Sequence, residues 1–137
     1  MIYRRVDIAD WTIRFLFSFD SSDRVRVVDS LLWADAPDSL IFHITENMKA
    51  GRLNEGFCYS TPSLRRTVLG TGLAESGPEV LNTMIHEIIH ICQHIAREDG
   101  IDPLGESFAY LGGDIAREVS DIVCELSCPN CGKRMAF

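Results

Sequence analysis

The sequence predicts an α+β fold, a small twisted and mostly antiparallel sheet packed on two long helices, and three patterns carry that expectation. Residues 11–19 alternate Trp, Ile, Phe, Phe and Phe with polar or smaller residues, which is the two-residue period of a half-buried strand. Residues 78–98 and 106–125 instead repeat their apolar positions every three or four residues, the period of amphipathic helices. At 137 residues, 46% of them hydrophobic, the chain has the length for one domain with a proper core.

The elements follow in order. Trp11 to Phe19 is the first long strand. Ser21-Ser22-Asp23 caps a helix on which Val25, Val28, Leu31 and Leu32 recur, and this helix ends before Pro37. Leu40 to Asn47, rich in β-branched and aromatic residues, favours a second strand, and Gly51 to Asn54 a turn. Phe57 to Ser60 and Arg66 to Gly72 read as two short strands joined around Pro62. Ser76-Gly77-Pro78-Glu79 has the form of a capping box with proline in the first turn, so a long helix runs from Pro78 to Glu98 until Gly100 stops it. Ile101 to Gly105 is a turn. Glu106 to Glu125 is the closing helix, with Phe108, Leu111, Ile115, Val119, Ile122 and Val123 for the core and Gly112-Gly113 for close approach. The expected division is a domain over residues 1–125 and a tail over 126–137.

Thirteen Lys and Arg against twenty Asp and Glu give a net charge of −7, which argues against a general nucleic-acid binder, with Arg65-Arg66 and Lys133-Arg134 as local basic spots. The segment Met1 to Asp7 lacks the apolar stretch of a secretory signal, and no run approaches a membrane span, so the expectation is a soluble cytoplasmic protein. Five cysteines, an odd number, do not read as a disulfide framework. Cys58 and Cys92 fall in apolar patterns and are expected in the core. Cys128-Pro129-Asn130-Cys131-Gly132-Lys133 resembles one knuckle of a zinc ribbon, with Cys124 available as a third ligand, but a ribbon needs two knuckles. A structural zinc completed by another residue or a second subunit, a redox-labile pair, and two inert thiols all stay open. Completion by a second subunit would make the chain a homo-oligomer through these C-terminal cysteines.

His86-Glu87-Ile88-Ile89-His90 is the most informative stretch. On a helix His86 and His90 stand one above the other, so both imidazoles can reach one ion at about 2.0–2.1 Å, and Glu87 lies beside them to take a proton from water. Val80, Leu81, Met84, Ile85, Ile88, Ile89, Cys92 and Ile95 fill one half of the helical wheel, and His86, His90 and His94 share the other with Thr83 and Arg97. Two histidines at this spacing are often no more than solvated surface groups. Here three of the chain's four histidines share one stripe of an isoleucine-rich helix, which favours zinc. His94 lies eight residues beyond His86, about 12 Å along an unbroken helix, too far to share an ion with it. His43 reads as a residue on the outer face of a sheet.

The motif and the element order together resemble the small zincin-like metallopeptidases, in which a short twisted sheet packs on the motif helix. The likeness covers about Trp11 to Glu125 and rests on the motif, on Asn82-Thr83 before it and on Glu106-Ser107-Phe108-Ala109-Tyr110-Leu111 after it. It extends to small uncharacterised zincin-like proteins of phages and mobile elements, whose stretch before the motif is similar to Thr67 to His90. Within the group the chain looks like the compact gluzincins, whose third ligand is a glutamate on the following helix. That likeness implies Glu106, which opens the closing helix with Tyr110 and Arg117 on its stripe; the plainer role for Glu106 is a first-turn acid stabilised by the helix dipole. Where thermolysin-like enzymes carry an aspartate four residues after this glutamate, the chain has Tyr110, and its nearest aspartate is Asp114. The implied chemistry is peptide hydrolysis with a Zn2+ cofactor, Glu87 as general base, and Tyr110 or else His94 as oxyanion donor; Tyr110 can equally be a packing residue. The implied substrate is a peptide or protein laid along a Thr67 to Gly72 edge strand. The competing class is a binding or assembly protein that keeps the metal site without turnover. A DNA-associated protease is disfavoured by the acidic balance.

Overall fold

β1 (Ile2–Ile8) and β2 (Trp11–Phe17) pair as an antiparallel hairpin, the first element of a computed structural model that describes residues 1–52, 56–73 and 76–127. Two residues, Ala9 and Asp10, turn the chain with φ of 51° and 61°, a left-handed conformation that residues other than glycine rarely adopt. Arg65 holds this turn by donating to the Ala9 carbonyl at 2.7 Å and the Asp10 carbonyl at 3.3 Å. The alternation in residues 11–17 does form the expected strand. The sequence expectation does not include β1, an edge strand on which only Val6 is buried.

A 3-10 turn (Ser21–Asp23) leads into α1 (Arg24–Trp33), whose buried face is Val27, Ser30 and Leu31, while Val25 and Leu32 are exposed. α2 (Asp38–Lys49) replaces the strand expected over Leu40 to Asn47. Pro37 in extended conformation precedes it, and Leu40, Ile41, Ile44, Thr45 and Met48 then recur at helical spacing on its inner side. His43 consequently lies on an exposed helix face, 3.3 Å from Asn47 one turn on, and not on a sheet.

β3 (Phe57–Thr61) and β4 (Arg66–Thr71) form a second antiparallel pair through a turn that contains Pro62. The sheet order is β1-β2-β4-β3, with β2 and β4 parallel, so the sheet is mixed. β4 is therefore an interior strand. A peptide cannot add to it, and the expected role of Thr67 to Gly72 as a free edge is corrected: β1 and β3 are the edges.

One face of the sheet packs on α1 and α2 through Leu16, Phe19, Val27, Leu31, Ala34, Ile44, Met48 and Val68. Side chains also close the carbonyl end of α1. Arg66 donates to the Trp33 carbonyl at 2.9 Å, Thr61 to that of Ala34, and Tyr59 to that of Asp35 at 3.4 Å. Arg14 and Arg66 both lie over the Trp33 ring, at 4.1 and 5.1 Å. On the opposite face Trp11, Ile13, Phe15, Phe17 and Leu69 are fully buried, and the rings of Phe15 and Phe17 stack at 5.5 Å.

The chain divides into two compact units, Met1–Leu73, which holds all of the above, and Ala74–Phe137. The second is built on α3 (Gly77–Asp99) and α4 (Glu106–Ser127). α3 begins where its cap requires: Ser76 accepts from the Glu79 amide at 3.4 Å, Pro78 sits in the first turn, and Gly100 closes the helix at φ 69°. α4 buries Leu111, Ile115, Val119 and Ile122, while Phe108 and Val123, also expected in the core, are half-buried. At Gly77 the two helices come so near that a Cβ would stand 2.5 Å from the Ser127 carbonyl. At Gly112 a Cβ would meet Cys92 Sγ at an ordinary 3.6 Å, and at Gly113 nothing within 4 Å, so α4 touches α3 here without the especially close approach expected of the glycine pair. Among the described residues, no helix is long and apolar enough to cross a membrane.

Candidate active site

The 23-residue α3 carries His86 and His90 on one stripe, and it brings their Nε2 atoms to 3.1 Å with ring centroids 4.7 Å apart. Two nitrogens on one tetrahedral zinc, each bonded at about 2.0–2.1 Å, stand roughly 3.3 Å apart, so the pair fits two corners of such a site. The same spacing suits an N–H···N hydrogen bond between imidazoles, in which one ring carries its proton on Nε2. Metal binding would displace that proton. His86 is exposed and His90 half-buried, so the pair opens to solvent.

Glu87, only 6% exposed, lies on the buried flank beside the pair. Burial raises its carboxyl above the ordinary carboxylate value, and the charges of His86 and His90 pull it back. His94 continues the stripe, its ring stacked 6.4 Å from that of His90. Burial lowers its pKa, aided by the charges of His90 and Arg97, so the ring is neutral at neutral pH. Cys92 is buried, and its thiol is pushed up to about 11 by burial, which makes it a core residue as expected and a poor metal ligand. Cys58 and Cys124 are half-buried. Cys128 and Cys131 lie outside the described residues.

Glu106 and Tyr110 are placed elsewhere. The contacts Gly77 to Ser127 and Cys92 to Gly112 set α3 and α4 antiparallel in one register, which puts Glu106 level with Glu98 and Tyr110 level with His94. Glu106 thus stands about 12 Å beyond His90 along the axis. Cys92, which faces α4, is also two residues from His90, about 200° round the helix, so α4 lies on the flank away from the imidazoles. Glu106 is exposed in the first turn of α4 and Tyr110 is 69% exposed. Among the described residues, no group of three or more His, Cys, Asp or Glu side chains is arranged to hold a metal ion.

Leu81, Ile85 and Ile89 also depart from expectation. Their spacing puts them on the apolar half of the wheel, but they are 51%, 50% and 45% exposed. The signal was present in the width of the arc: apolar residues from Met84 round to Ile89 span more of the helix than the stripe of about 100° that one packed face needs. Compared with family models, with curated proteins and with solved structures, the chain matches none.

Proposed function

We propose that the chain is a zinc-dependent peptidase on a zincin-like scaffold, a reading carried by the 3.1 Å convergence of His86 and His90 beside a buried glutamate. Held by His86 and His90, zinc would supply Lewis acidity to a peptide carbonyl and to a bound water. Glu87 takes the proton of the attacking water on its carboxylate oxygen and, as the acid it has then become, returns it to the departing amine. Its raised pKa suits both steps, because burial stabilises the protonated carboxyl that exists between them. His94, neutral and next on the stripe, is better placed than Tyr110 to donate a hydrogen bond to the developing oxyanion. A third ligand must come from outside the pair. Glu106, which the resemblance implies, would have to close about 12 Å along α3 to serve.

The decisive experiment is metal analysis joined to turnover. Purified parent protein should hold zinc that His86→Ala loses, while Glu87→Gln keeps the metal and cleaves a peptide library at least about 100-fold more slowly. Equal zinc in the parent and His86→Ala overturns the site, and equal cleavage in Glu87→Gln overturns the base. Glu106→Ala separates the ligand role from that of a first-turn acid, since only a ligand is needed for metal retention. The second reading, a binding or assembly protein that keeps the scaffold without turnover, is favoured by the separation of Glu106 from the histidines. It predicts zinc retention and no cleavage by the parent.

A further inference from the structure

His86 and His90 lie symmetrically about the buried Ile88, and the midline of the pair points to the opposite side of α3. Glu79 and Arg97, equally far before and after Ile88, fall on that same midline at about 100° per residue, and both are exposed. Thr83 and Gln93, closer in and again equally far from Ile88, flank the midline by about 40°. Outward from the centre the face thus carries histidine, threonine and glutamate toward one end, and histidine, glutamine and arginine toward the other. From Val80 to Ala96 the only charged side chain is Glu87, and it is buried. Cys92, which faces α4, is about 120° and 160° round the helix from His86 and His90, so α4 leaves this face open.

Such an order is complementary to itself. Where a second copy of α3 lies antiparallel on the first with the two-fold axis level with Ile88, Glu79 stands opposite the partner's Arg97, Arg97 opposite the partner's Glu79, and four imidazoles meet at the axis. At a crossing angle of about 20°, common for packed helices, points about 13.5 Å from the axis diverge by only about 5 Å, within reach of these long side chains. His86 and His90 fit two corners of a tetrahedral zinc, and among the described residues no third His, Cys, Asp or Glu joins them. We infer that a second copy of the chain completes the site: one zinc lies between two chains, held by His86 and His90 of each, while the Glu79 and Arg97 pairs set the antiparallel order. The two positive charges of the ion offset locally the net charge of −7 that each chain carries. One helix face falls well short of the about 800 Å² per partner of a stable dimer, so association depends on the metal. Four nitrogens leave no open position for water, so the dimer is the form without turnover, and pairing of chains regulates the site. The inference rests on the zinc site proposed above, but requires no peptide cleavage.

The test is sedimentation of the full chain with and without added zinc, joined to zinc analysis, in the parent and in a Cys128→Ser/Cys131→Ser variant that removes the other candidate ligands. In both, zinc should convert monomer to dimer at one ion per two chains, and His90→Ala should stay monomeric. Glu79→Arg alone and Arg97→Glu alone each place like charges opposite one another twice, and each should raise the dimer dissociation constant at least about tenfold. An equal mixture of these two variants pairs opposite charges at both places and should regain the parent's association, a rescue that a change in helix stability would not give. One zinc per chain without a dimer overturns the inference and leaves the metal pair of the peptidase standing. No zinc in the parent sinks both. A zinc-dependent dimer that persists in His90→Ala, or that ignores the charge reversals, overturns the inference. The bridged dimer with no cleavage of peptides at any dilution sinks the peptidase and leaves the bridge.

Discussion

Around the carbonyl end of α1, the first unit closes three backbone acceptors with Arg66, Thr61 and Tyr59 and lays two guanidiniums on Trp33, whereas on α3 of the second unit His86 and His90 bond to each other and Leu81, Ile85 and Ile89 face outward. Polar groups in the first unit are turned inward to hold helix against sheet. Those on α3 remain accessible to a ligand. The difference teaches where to look for each kind of effect: substitutions in the first unit should be read in stability, and substitutions on the open side of α3 in binding.

The largest stability effect should come from Phe15→Ala. Phe15 is fully buried and stacked on Phe17, so its removal combines lost burial with a cavity and should cost about 3–5 kcal/mol in urea unfolding. Ile85→Gln, on the half-exposed stripe, should stay within about 0.5 kcal/mol of the parent. A cost for Ile85→Gln comparable with that of Phe15→Ala would erase the contrast, because it would make the stripe part of a core.

Gly77→Ala comes next and tests the register that separates Glu106 from the histidines. Helix propensity alone would favour alanine by up to about 1 kcal/mol. The Cβ, however, would stand 2.5 Å from the Ser127 carbonyl, a backbone atom that can yield only if the last turn of α4 moves. The expected net result is a loss of about 1–2 kcal/mol. A gain in stability would mean that the ends of α3 and α4 do not meet, and the placement of Glu106 level with Glu98 would fall with that contact.

What could be read in the sequence follows the range of the interactions involved. α3 and α4 were legible because Ser76, Pro78, Gly100 and the apolar repeats act within a few residues of themselves. α2 is ambiguous in sequence because Leu40 to Asn47 carries β-branched and aromatic residues that suit a strand, while Leu40, Ile44 and Met48 recur at helical spacing. β1 is hidden because Arg4 stands on its more buried side between Ile2 and Val6 and breaks the apolar period of two, and β4 reads as an edge because strand order is set by pairings distant in sequence. The site divides in the same way. The histidine pair and Glu87 lie within one turn and a half of helix and could be seen directly, whereas the place of Glu106 depends on the register between two helices.

Arg66→Ala removes one of the bonds that close α1 and one cation from the Trp33 ring, and should cost about 1–2 kcal/mol. Arg66→Lys keeps the charge but not the planar fork, and should recover less than half of that loss. Full recovery by lysine would show that charge alone, and not the stacked and hydrogen-bonded geometry, secures this end of the helix.

The smallest effect is the pH response of the turn that starts α1. Asp20 accepts hydrogen bonds from the Ser22 hydroxyl and, at 2.8 Å, from the Ser22 amide, while Asp23 accepts from the Asp20 amide at 3.0 Å. The Ser22 side-chain bond, then the Ser22 backbone bond, hold the Asp20 carboxyl below its ordinary value of 3.8. A carboxylate whose pKa is lower in the folded chain than in the unfolded one adds stability above the unfolded pKa and loses it as pH falls through the folded pKa. Asp20→Asn keeps an acceptor oxygen without the titration, so the parent should melt above this variant at about pH 7. The gap should start to close below about pH 5 and vanish once both states of Asp20 are protonated. Because Asp20 lies at the surface, salt should narrow the gap as well. A difference in melting temperature that is the same at every pH would show that the turn draws on the shape of the Asp20 side chain and not on its charge.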